Sequence, residues 1–280
     1  MSISDLYRQV GTTHKLSLHE ADILLSFILR EPKEFIYGNP HYQLTTKQLT
    51  QFNALVRRRV RGEPIAYLIG HKEFYGLDFL VDKRVLCPRP STELLVEMVA
   101  TYCRDTINRV STDRFTILDV GTGSGNIAIT LKHLLPHCAM IATDVSAPAL
   151  AVAQHNAKHL KTKIKFYKSN VLKQLPTSLH GKLDIITFNA PYLTKQEAGK
   201  ANLKYEPKVA LTPTGSPTSL IEQLFQQAGP FLKQTGSIYL EIGHRQAKQV
   251  SKLSLQYFPH AKITVLKDLG GWDRVIRIQL

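Results

Sequence analysis

The feature that most constrains the fold is a glycine-rich turn that joins an apolar run to a helical run. Residues 115–120 are largely apolar, and Gly121, Gly123 and Gly125 follow them directly. Glycine adopts backbone conformations that other residues avoid, and it lets a ligand approach the main chain closely. A strand that turns tightly into a helix in this way predicts an open α/β sheet with a ligand site at its carboxyl edge.

Strands and helices are predicted to alternate from residue 115 to the end of the chain. Strands are predicted at 115–120, 139–143, 164–167, 183–188, 236–241, 262–265 and 274–278, and helices at 127–135, 147–160, 219–231 and 246–258. This alternation indicates a parallel sheet with helices on both faces. No helix separates the last two strands, so they must pair antiparallel. The predicted fold class is therefore α/β and Rossmann-like, with a mixed, mostly parallel sheet and an antiparallel last strand.

The amino-terminal part of the chain has a different pattern, which predicts helices. Ser17 and Glu20 have the spacing of a capping box, and apolar residues follow at helical intervals. Residues 71–90 are richer in aromatic and β-prone residues, with turn residues at Gly76 and at 82–83. We therefore expect a small helical bundle for substrate recognition at 1–70, a β-hairpin linker at 71–90 and the α/β domain at 91–280.

Composition narrows the possible partners and the cellular compartment. The formal net charge of +14 predicts attraction to polyanions or to an acidic protein surface. The chain has 3 Cys without a C-x-x-C pair, so neither a disulfide framework nor a metal site is predicted. No apolar run approaches the roughly 20 residues of a membrane span, and the amino terminus lacks a signal-peptide core. We expect a soluble, cytoplasmic protein with no membrane partner.

Two local patterns have less specific interpretations. The basic run at 57–61 contains Arg57, Arg58, Arg59 and Arg61, and either a solvated helix face or docking to an acidic partner or RNA explains it. His155 and His159 lie four residues apart, as metal ligands on a helix do, but no carboxylate or Cys completes a set. We therefore interpret the two histidines as a surface pair.

Three strand ends carry the residues expected to bind a cofactor. The glycine turn matches neither the phosphate-binding Walker pattern nor G-x-G-x-x-G, and Asp119 before it suits a ligand with a positively charged amino group. Asp144 ends the second strand, where a carboxylate can accept hydrogen bonds from ribose hydroxyls. Asn170 and Val171 follow the third strand and could hold an adenine ring. The predicted cofactor-binding residues are Gly121, Thr122, Gly123, Ser124, Gly125, Asp144, Asn170, Val171 and Asn189.

The fourth strand ends in the tetrad Asn189, Ala190, Pro191 and Tyr192, which we predict to be catalytic. A planar –NH2 group needs an acceptor for each N–H, and the Asn189 side-chain oxygen can be one of them. The backbone carbonyl of Ala190 can be the other, and Tyr192 can stack on the planar target. Both bonds would direct the nitrogen toward a methyl donor, so that positioning, rather than a strong base, promotes the reaction.

Several further motifs make the chain resemble the HemK/PrmC family, the peptide chain release factor glutamine N5-methyltransferases. The motifs lie at 61–70 (RGEPIAYLIG), 73–77 (EFYGL), 88–93 (PRPSTE), 119–125, 189–192, 205–207 (YEP), 241–243 (EIG) and 271–274 (GWDR). The Gly-Glu-Pro-Ile-Ala stretch discriminates this family from generic methyltransferases. The resemblance implies a helical domain followed by an S-adenosylmethionine-dependent methyltransferase domain. It also implies that the substrate is the glutamine of the Gly-Gly-Gln motif in class 1 release factors, with a role in translation termination.

The tetrad and the third strand depart from the family pattern at one position each. Ala190 stands where the family usually has Pro, but a backbone carbonyl is still present, so we expect activity to persist. Asn170 stands where the family commonly has Asp, and it keeps an oxygen acceptor. Two alternatives stay open: a nucleic-acid methyltransferase acting on adenine N6 or guanine N2, and a protein that binds the cofactor without catalysis. The linker motif favours the protein substrate, and no stable nucleic-acid partner is expected.

Overall fold

The computed structural model describes residues 1–13, 16–110, 115–199 and 203–280, and the chain divides into two compact units. The first unit comprises 1–71 with 199–205, and the second comprises 72–198 with 206–280. Nothing in the sequence predicted that the short return segment 199–205 would group with the amino-terminal unit. Within the described ranges, no helix has both the length and the apolar character needed to cross a membrane.

The first unit is helical. Its helices are α1 (Ile3–Thr13), α2 (Leu18–Leu29), α3 (Lys33–Gly38), α4 (Thr46–Val60) and α5 (Ile65–Ile69). The predicted capping box is present at the start of α2, where Ser17 and Glu20 exchange side-chain to backbone hydrogen bonds. A second capping box, formed by Thr45 and Gln48, begins α4. Leu24, Leu25 and Phe52, each at most 1% exposed, are central to the core of this unit.

The second unit opens with a hairpin. Strands β1 (His71–Phe74) and β2 (Leu77–Leu80) form a two-stranded sheet. Tyr75 and Gly76 both have positive φ, of 53° and 75°, as in the turns that match the twist of two-residue hairpins. The Glu93 carboxylate, at the start of the following helix α6 (Glu93–Val110), accepts a hydrogen bond from the Tyr75 backbone N–H. This bond ties the hairpin turn to α6.

A seven-stranded sheet forms the centre of the second unit. The remaining elements are β3 (Thr116–Val120), α7 (Asn126–Leu134), β4 (Ala139–Asp144), α8 (Ala147–His159), β5 (Ile164–Lys168), β6 (Leu183–Asn189), α9 (Lys195–Ala198), α10 (Lys208–Leu211), α11 (Ser219–Ala228), β7 (Leu232–Glu241), α12 (Ala247–Tyr257), β8 (Lys262–Lys267) and β9 (Asp273–Gln279). The strand order is β5-β4-β3-β6-β7-β9-β8. Strands β3 to β7 are parallel, whereas β9 is antiparallel to both β7 and β8.

The strand order confirms the predicted fold class and fixes where a ligand can bind. From β3 the chain proceeds outward through β4 to β5, then returns to β6 on the other side of β3. In open α/β sheets such a reversal leaves a crevice at the carboxyl ends of the two central strands. The antiparallel strand β9 inserts between β7 and β8 rather than lying at the edge. Because the central strands are covered on both faces, Ile117, Leu118 and Ile186 are fully buried.

Gly125 at the start of α7 shows why the glycine turn cannot carry larger residues. Its φ is +83°, and a Cβ added there would lie 2.8 Å from Ile129 Cδ1 and 3.2 Å from Ala153 Cβ. We expect Gly125→Ala to lower the free energy of unfolding by roughly 2 kcal/mol, because strain and overpacking add. Gly181→Ala is the matched control, since its φ is +66° but nothing lies within 4 Å. Equal losses for the two variants in urea unfolding would contradict the packing role of Gly125.

Candidate functional site

A cavity of about 760 Å³ opens at the carboxyl edge of the sheet in the second unit. Residues at the ends of β3, β4, β5 and β6 line it. Residues from the segments 84–92 and 207–215 also line it. The volume lies within the range of about 300–1,000 Å³ that is usual for small-molecule sites.

The glycine turn after β3 lies on this cavity. Gly121, Thr122, Gly123 and Ser124, four of the residues predicted to bind the cofactor, all line it. Gly121 and Gly123 have positive φ, of 64° and 56°. A Cβ at Gly123 would meet no atom closer than Gly121 O at 4.0 Å. No side chain covers the main chain at Gly123, so it is open to a ligand. Gly125, in contrast, packs between α7 and α8 and does not line the cavity.

Asp144 holds the glycine turn in place from the end of β4. Its Oδ2 accepts a hydrogen bond from the Gly123 N–H, and its Oδ1 accepts one from the Ser146 N–H, each at 2.9 Å. The side chain also lines the cavity and is 9% exposed. Burial raises the pKa of Asp144, and the backbone donors oppose this shift. Each carboxylate oxygen keeps a further lone pair, so Asp144 can still accept bonds from ligand hydroxyls.

Asn170 and Val171 extend the cavity wall beyond β5. Both line the cavity, and Asn170 is exposed. Val171 is 6% exposed and has a φ of +54°, which is rare for a β-branched residue. Such a conformation costs about 1–3 kcal/mol and persists where the surrounding structure imposes it, often at a ligand site. The strained backbone of Val171 is thus an independent sign that this turn is shaped for binding.

The side chain of Asp119 has a different environment from the one expected. It is 0% exposed, and its oxygens accept hydrogen bonds from the Thr122 hydroxyl at 2.6 Å and the Thr187 hydroxyl at 2.9 Å. Asp119 does not line the cavity among the described residues. The sequence expectation that this carboxylate faces a ligand amino group is therefore wrong. Asp119 instead ties the glycine turn to β6 from inside the fold.

The enclosure of Asp119 predicts an unusual pH dependence of stability. Burial raises its pKa to about 7, against roughly 3.9 in an unfolded chain. The folded state therefore holds this proton more tightly, so the contribution to stability is full below pH 4 and is lost as pH rises through 7. We expect the stability of Asp119→Asn, relative to that of the parent, to increase as the pH rises from 5 to 8. Urea unfolding measures the difference in the free energy of unfolding between the two proteins. A difference that is the same at pH 5 and pH 8, or one that favours Asp119→Asn more at acid pH, would contradict this.

Asn189 lies at the carboxyl end of β6, next to the glycine turn. It lines the cavity, and its Nδ2 donates a hydrogen bond to Thr92 Oγ1 at 3.0 Å. The Thr92 hydroxyl in turn donates to Glu241 Oε2 at 2.6 Å. The Ser91 hydroxyl donates to the other oxygen of Glu241 at 2.9 Å. Burial raises the pKa of Glu241, and the Thr92 and Ser91 hydroxyls oppose this shift.

The other three tetrad residues differ in their relation to the cavity. Pro191 lines it, whereas Ala190 and Tyr192 do not line it among the described residues. The Ala190 side chain is 1% exposed and belongs to the hydrophobic core. The predicted role of Ala190 uses its backbone carbonyl, so this burial leaves that prediction untested. Tyr192 is partly buried, and its stacking on a target also stays a prediction.

Sequence reasoning assigned no role to several groups around Asn189. Thr92 and Glu241 are 1% exposed and bond to Asn189 directly or in series. Arg89 also lines the cavity and forms an ion pair with the buried Glu206. All four lie in motifs that carry the family resemblance, at 88–93, 205–207 and 241–243. The polar residues inside those motifs were the sequence signal that could have identified these four residues.

The basic run and the histidine pair are surface features. Arg58 pairs with Glu63, and Arg59 pairs with Glu20, so two cations of the run are already neutralised. His155 and His159 are both exposed on α8. Within the described ranges, no group of three or more His, Cys, Asp or Glu side chains is placed to hold a metal ion.

Two family models match the chain, one in each part. The model for the PrmC N-terminal domain matches residues 13–70. The model for the methyltransferase small domain matches residues 91–216, which include the glycine turn, Asp144 and Asn189. Both models agree with the resemblance that the linker and tetrad motifs predicted.

Relatives that match along most of this chain extend the comparison. A release factor glutamine methyltransferase of Coxiella burnetii is 33% identical over 97% of this chain and 95% of its own length. A bifunctional methyltransferase of Rickettsia bellii is 35% identical over 93% of this chain and 51% of its own length. The chain thus spans about half the length of the bifunctional relatives it matches.

Comparison with solved structures supports the fold. A methyltransferase from Pyrococcus furiosus is 16% identical and superposes with a TM-score of 0.51, covering 84% of this chain and 98% of that one. This likeness concerns the fold alone. With the Coxiella burnetii relative matched over nearly its whole length, the chain belongs to the release factor glutamine methyltransferase family.

Proposed function

We propose that this protein transfers a methyl group from S-adenosylmethionine to the side-chain amide nitrogen, N5, of the glutamine in the Gly-Gly-Gln motif of class 1 peptide chain release factors. The observation that carries the proposal is the placement of Asn189 on the same cavity as the glycine turn and Asp144. The names of the full-length relatives support the choice of substrate. The outcome would be an adjustment of translation termination.

The residues on the cavity fit S-adenosylmethionine. Gly123 leaves the main chain open to a ligand, and Asp144 offers acceptors suited to ribose hydroxyls. Asn170 and Val171 line the same cavity, and their proposed role is to hold the adenine ring. When bound, the cofactor supplies a methyl group to the amide nitrogen, leaves as S-adenosylhomocysteine, and one N–H proton is released.

Asn189 and its neighbours would perform the orienting work. The Asn189 Oδ1 accepts one N–H of the target amide, and the Ala190 backbone carbonyl accepts the other. With both N–H bonds held, the amide nitrogen faces the methyl donor in one orientation. Amide nitrogens are poor nucleophiles, so this positioning has to supply much of the rate enhancement. Tyr192 is the candidate to stack on the amide plane.

A transfer assay with labelled S-adenosylmethionine tests the proposal. Purified class 1 release factor, the same factor with its Gly-Gly-Gln glutamine changed to alanine, and total RNA are the three acceptors. Label should enter the intact factor and be absent from the alanine variant. Label in RNA alone would favour the nucleic-acid alternative, for which the net charge of +14 is the supporting observation. Cofactor binding without transfer to any acceptor would favour a non-catalytic protein.

A recognition unit and a cellular location are also proposed. The helical unit at the amino terminus is proposed to recognise the release factor, with the domain boundaries at 70 and 90 taken from the sequence. The cytoplasmic location is likewise proposed from composition and from the class of substrate. Neither affects the chemistry at Asn189.

A further inference from the structure

We infer that Thr92 and Glu241 form a one-way hydrogen-bond chain that forces Asn189 to present its oxygen, and not its –NH2 group, to the substrate. The inference rests on the proposed function for its chemistry, because a planar –NH2 target requires an acceptor at this position. It assigns a positioning role to Thr92, which lines the cavity, and to the buried Glu241 behind it. Thr92 and Glu241 act through Asn189 and are not themselves catalytic.

The need for such a device follows from the symmetry of the asparagine side chain. The carbonyl oxygen and the –NH2 group of an amide have nearly the same shape, so packing alone distinguishes them poorly. Rotation by half a turn would place two donors against the donor –NH2 of the target. A hydrogen-bond partner of fixed polarity on the other side of Asn189 removes this ambiguity.

The polarity of the chain is set at Glu241. This carboxylate is 1% exposed, and each of its oxygens receives a hydroxyl donor, from Ser91 and from Thr92. An unprotonated carboxylate oxygen can only accept. The single hydroxyl proton of Thr92 is therefore used on Glu241 Oε2, at 2.6 Å. Thr92 Oγ1 keeps only lone pairs for its other neighbour.

That neighbour is Asn189, which must then donate. Its Nδ2 lies 3.0 Å from Thr92 Oγ1, in agreement with this direction. With Nδ2 turned toward Thr92, Oδ1 is the remaining amide atom. The sheet brings the anchor into place, because Asn189 and Glu241 are register neighbours at the carboxyl ends of β6 and β7. Thr92 reaches the pair from the short turn Pro90–Thr92 before α6.

Thr92→Val tests the chain by removing the hydroxyl at nearly constant shape. We expect kcat for release factor methylation to fall at least tenfold, with KM and the Kd of S-adenosylmethionine changed less than about threefold, because only an orienting bond is lost. Thr92→Ser restores the hydroxyl and should recover kcat to within about threefold. Thr130→Val is the matched control, since Thr130 is 1% exposed and its hydroxyl has no hydrogen-bond partner among the described residues.

A double-mutant cycle of Thr92→Val and Asn189→Ala distinguishes a positioning role of Thr92 from a merely structural one. In an Asn189→Ala background, Thr92→Val should cause no further loss of kcat, because its effect passes through Asn189. A full additional loss in the double variant would overturn the inference. So would an unchanged kcat in Thr92→Val, or a loss that Thr92→Ser shares.

A measurement without turnover keeps the inference separate from the proposed function. The Asn189 side-chain –NH2 signals, assigned by their absence in Asn189→Ala, should exchange with solvent more slowly in the parent than in Thr92→Val. Equal exchange rates would overturn the chain even in an active enzyme. If the parent does not methylate release factor, the proposed function fails, and the exchange experiment still decides the orientation of Asn189.

Discussion

Asn189→Ala should lower kcat for release factor methylation by roughly 100- to 1,000-fold, the usual effect of removing one oriented hydrogen-bonding group from an active site. The variant loses the acceptor for one N–H of the target amide and the partner of Thr92. The neighbouring backbone and the glycine turn are untouched, so the Kd of S-adenosylmethionine should change less than about threefold. Single-turnover transfer of labelled methyl and calorimetric cofactor binding measure the two quantities.

Asn189→Asp is the informative companion variant. It keeps an oxygen acceptor toward the cavity but replaces the donor that faces Thr92 with a second acceptor. The Thr92 hydroxyl then faces carboxylates on both sides, since Glu241 already accepts its proton. We expect a clear loss of kcat here as well. A parent-like kcat in either variant would remove Asn189 from the reaction.

Asp144→Ala should weaken S-adenosylmethionine binding by on the order of 100-fold, equivalent to about 2.7 kcal/mol. Two causes add. The substitution removes acceptors that face the cavity, and it releases the Gly123 N–H of the glycine turn and the Ser146 N–H before α8. Hydrogen bonds to charged groups are worth about 1.5–3 kcal/mol each, so losing even part of this set accounts for the effect. Titration calorimetry with the cofactor measures it.

Asp184→Ala provides the matched control for that loss. Asp184 also accepts a backbone bond, from the Thr116 N–H at 2.8 Å, and it pairs with Lys233. It lies at the amino ends of β3 and β6, the end of the sheet opposite the cavity. We expect a lower melting temperature but a cofactor Kd within about threefold of the parent. Similar Kd losses in both variants would mean that Asp144 acts only through stability.

Patterns in the sequence were enough to predict most strands and helices of the α/β unit and three residue groups of the candidate site. The glycine turn, Asp144 and Asn189 were identified because each follows an apolar strand, and the carboxyl ends of parallel strands meet at one edge. The antiparallel last strand followed from the missing helix before it. Local patterns of this kind depend on neighbours within about ten residues, so they can be recognised in one amino-acid sequence.

The packed structure was needed to show which polar groups line the cavity and which are enclosed in the fold. Asp119 and Asp144 both end a strand beside the glycine turn, yet one is enclosed by Thr122 and Thr187 and the other lines the cavity. Thr92 lies 97 residues before Asn189 in sequence, and Glu241 lies on the neighbouring strand, yet the three residues meet in the fold. Their meeting depends on strand order and register, which arise from burying both faces of the whole sheet. That burial is a property of the packed molecule, and no local pattern in the sequence specifies it.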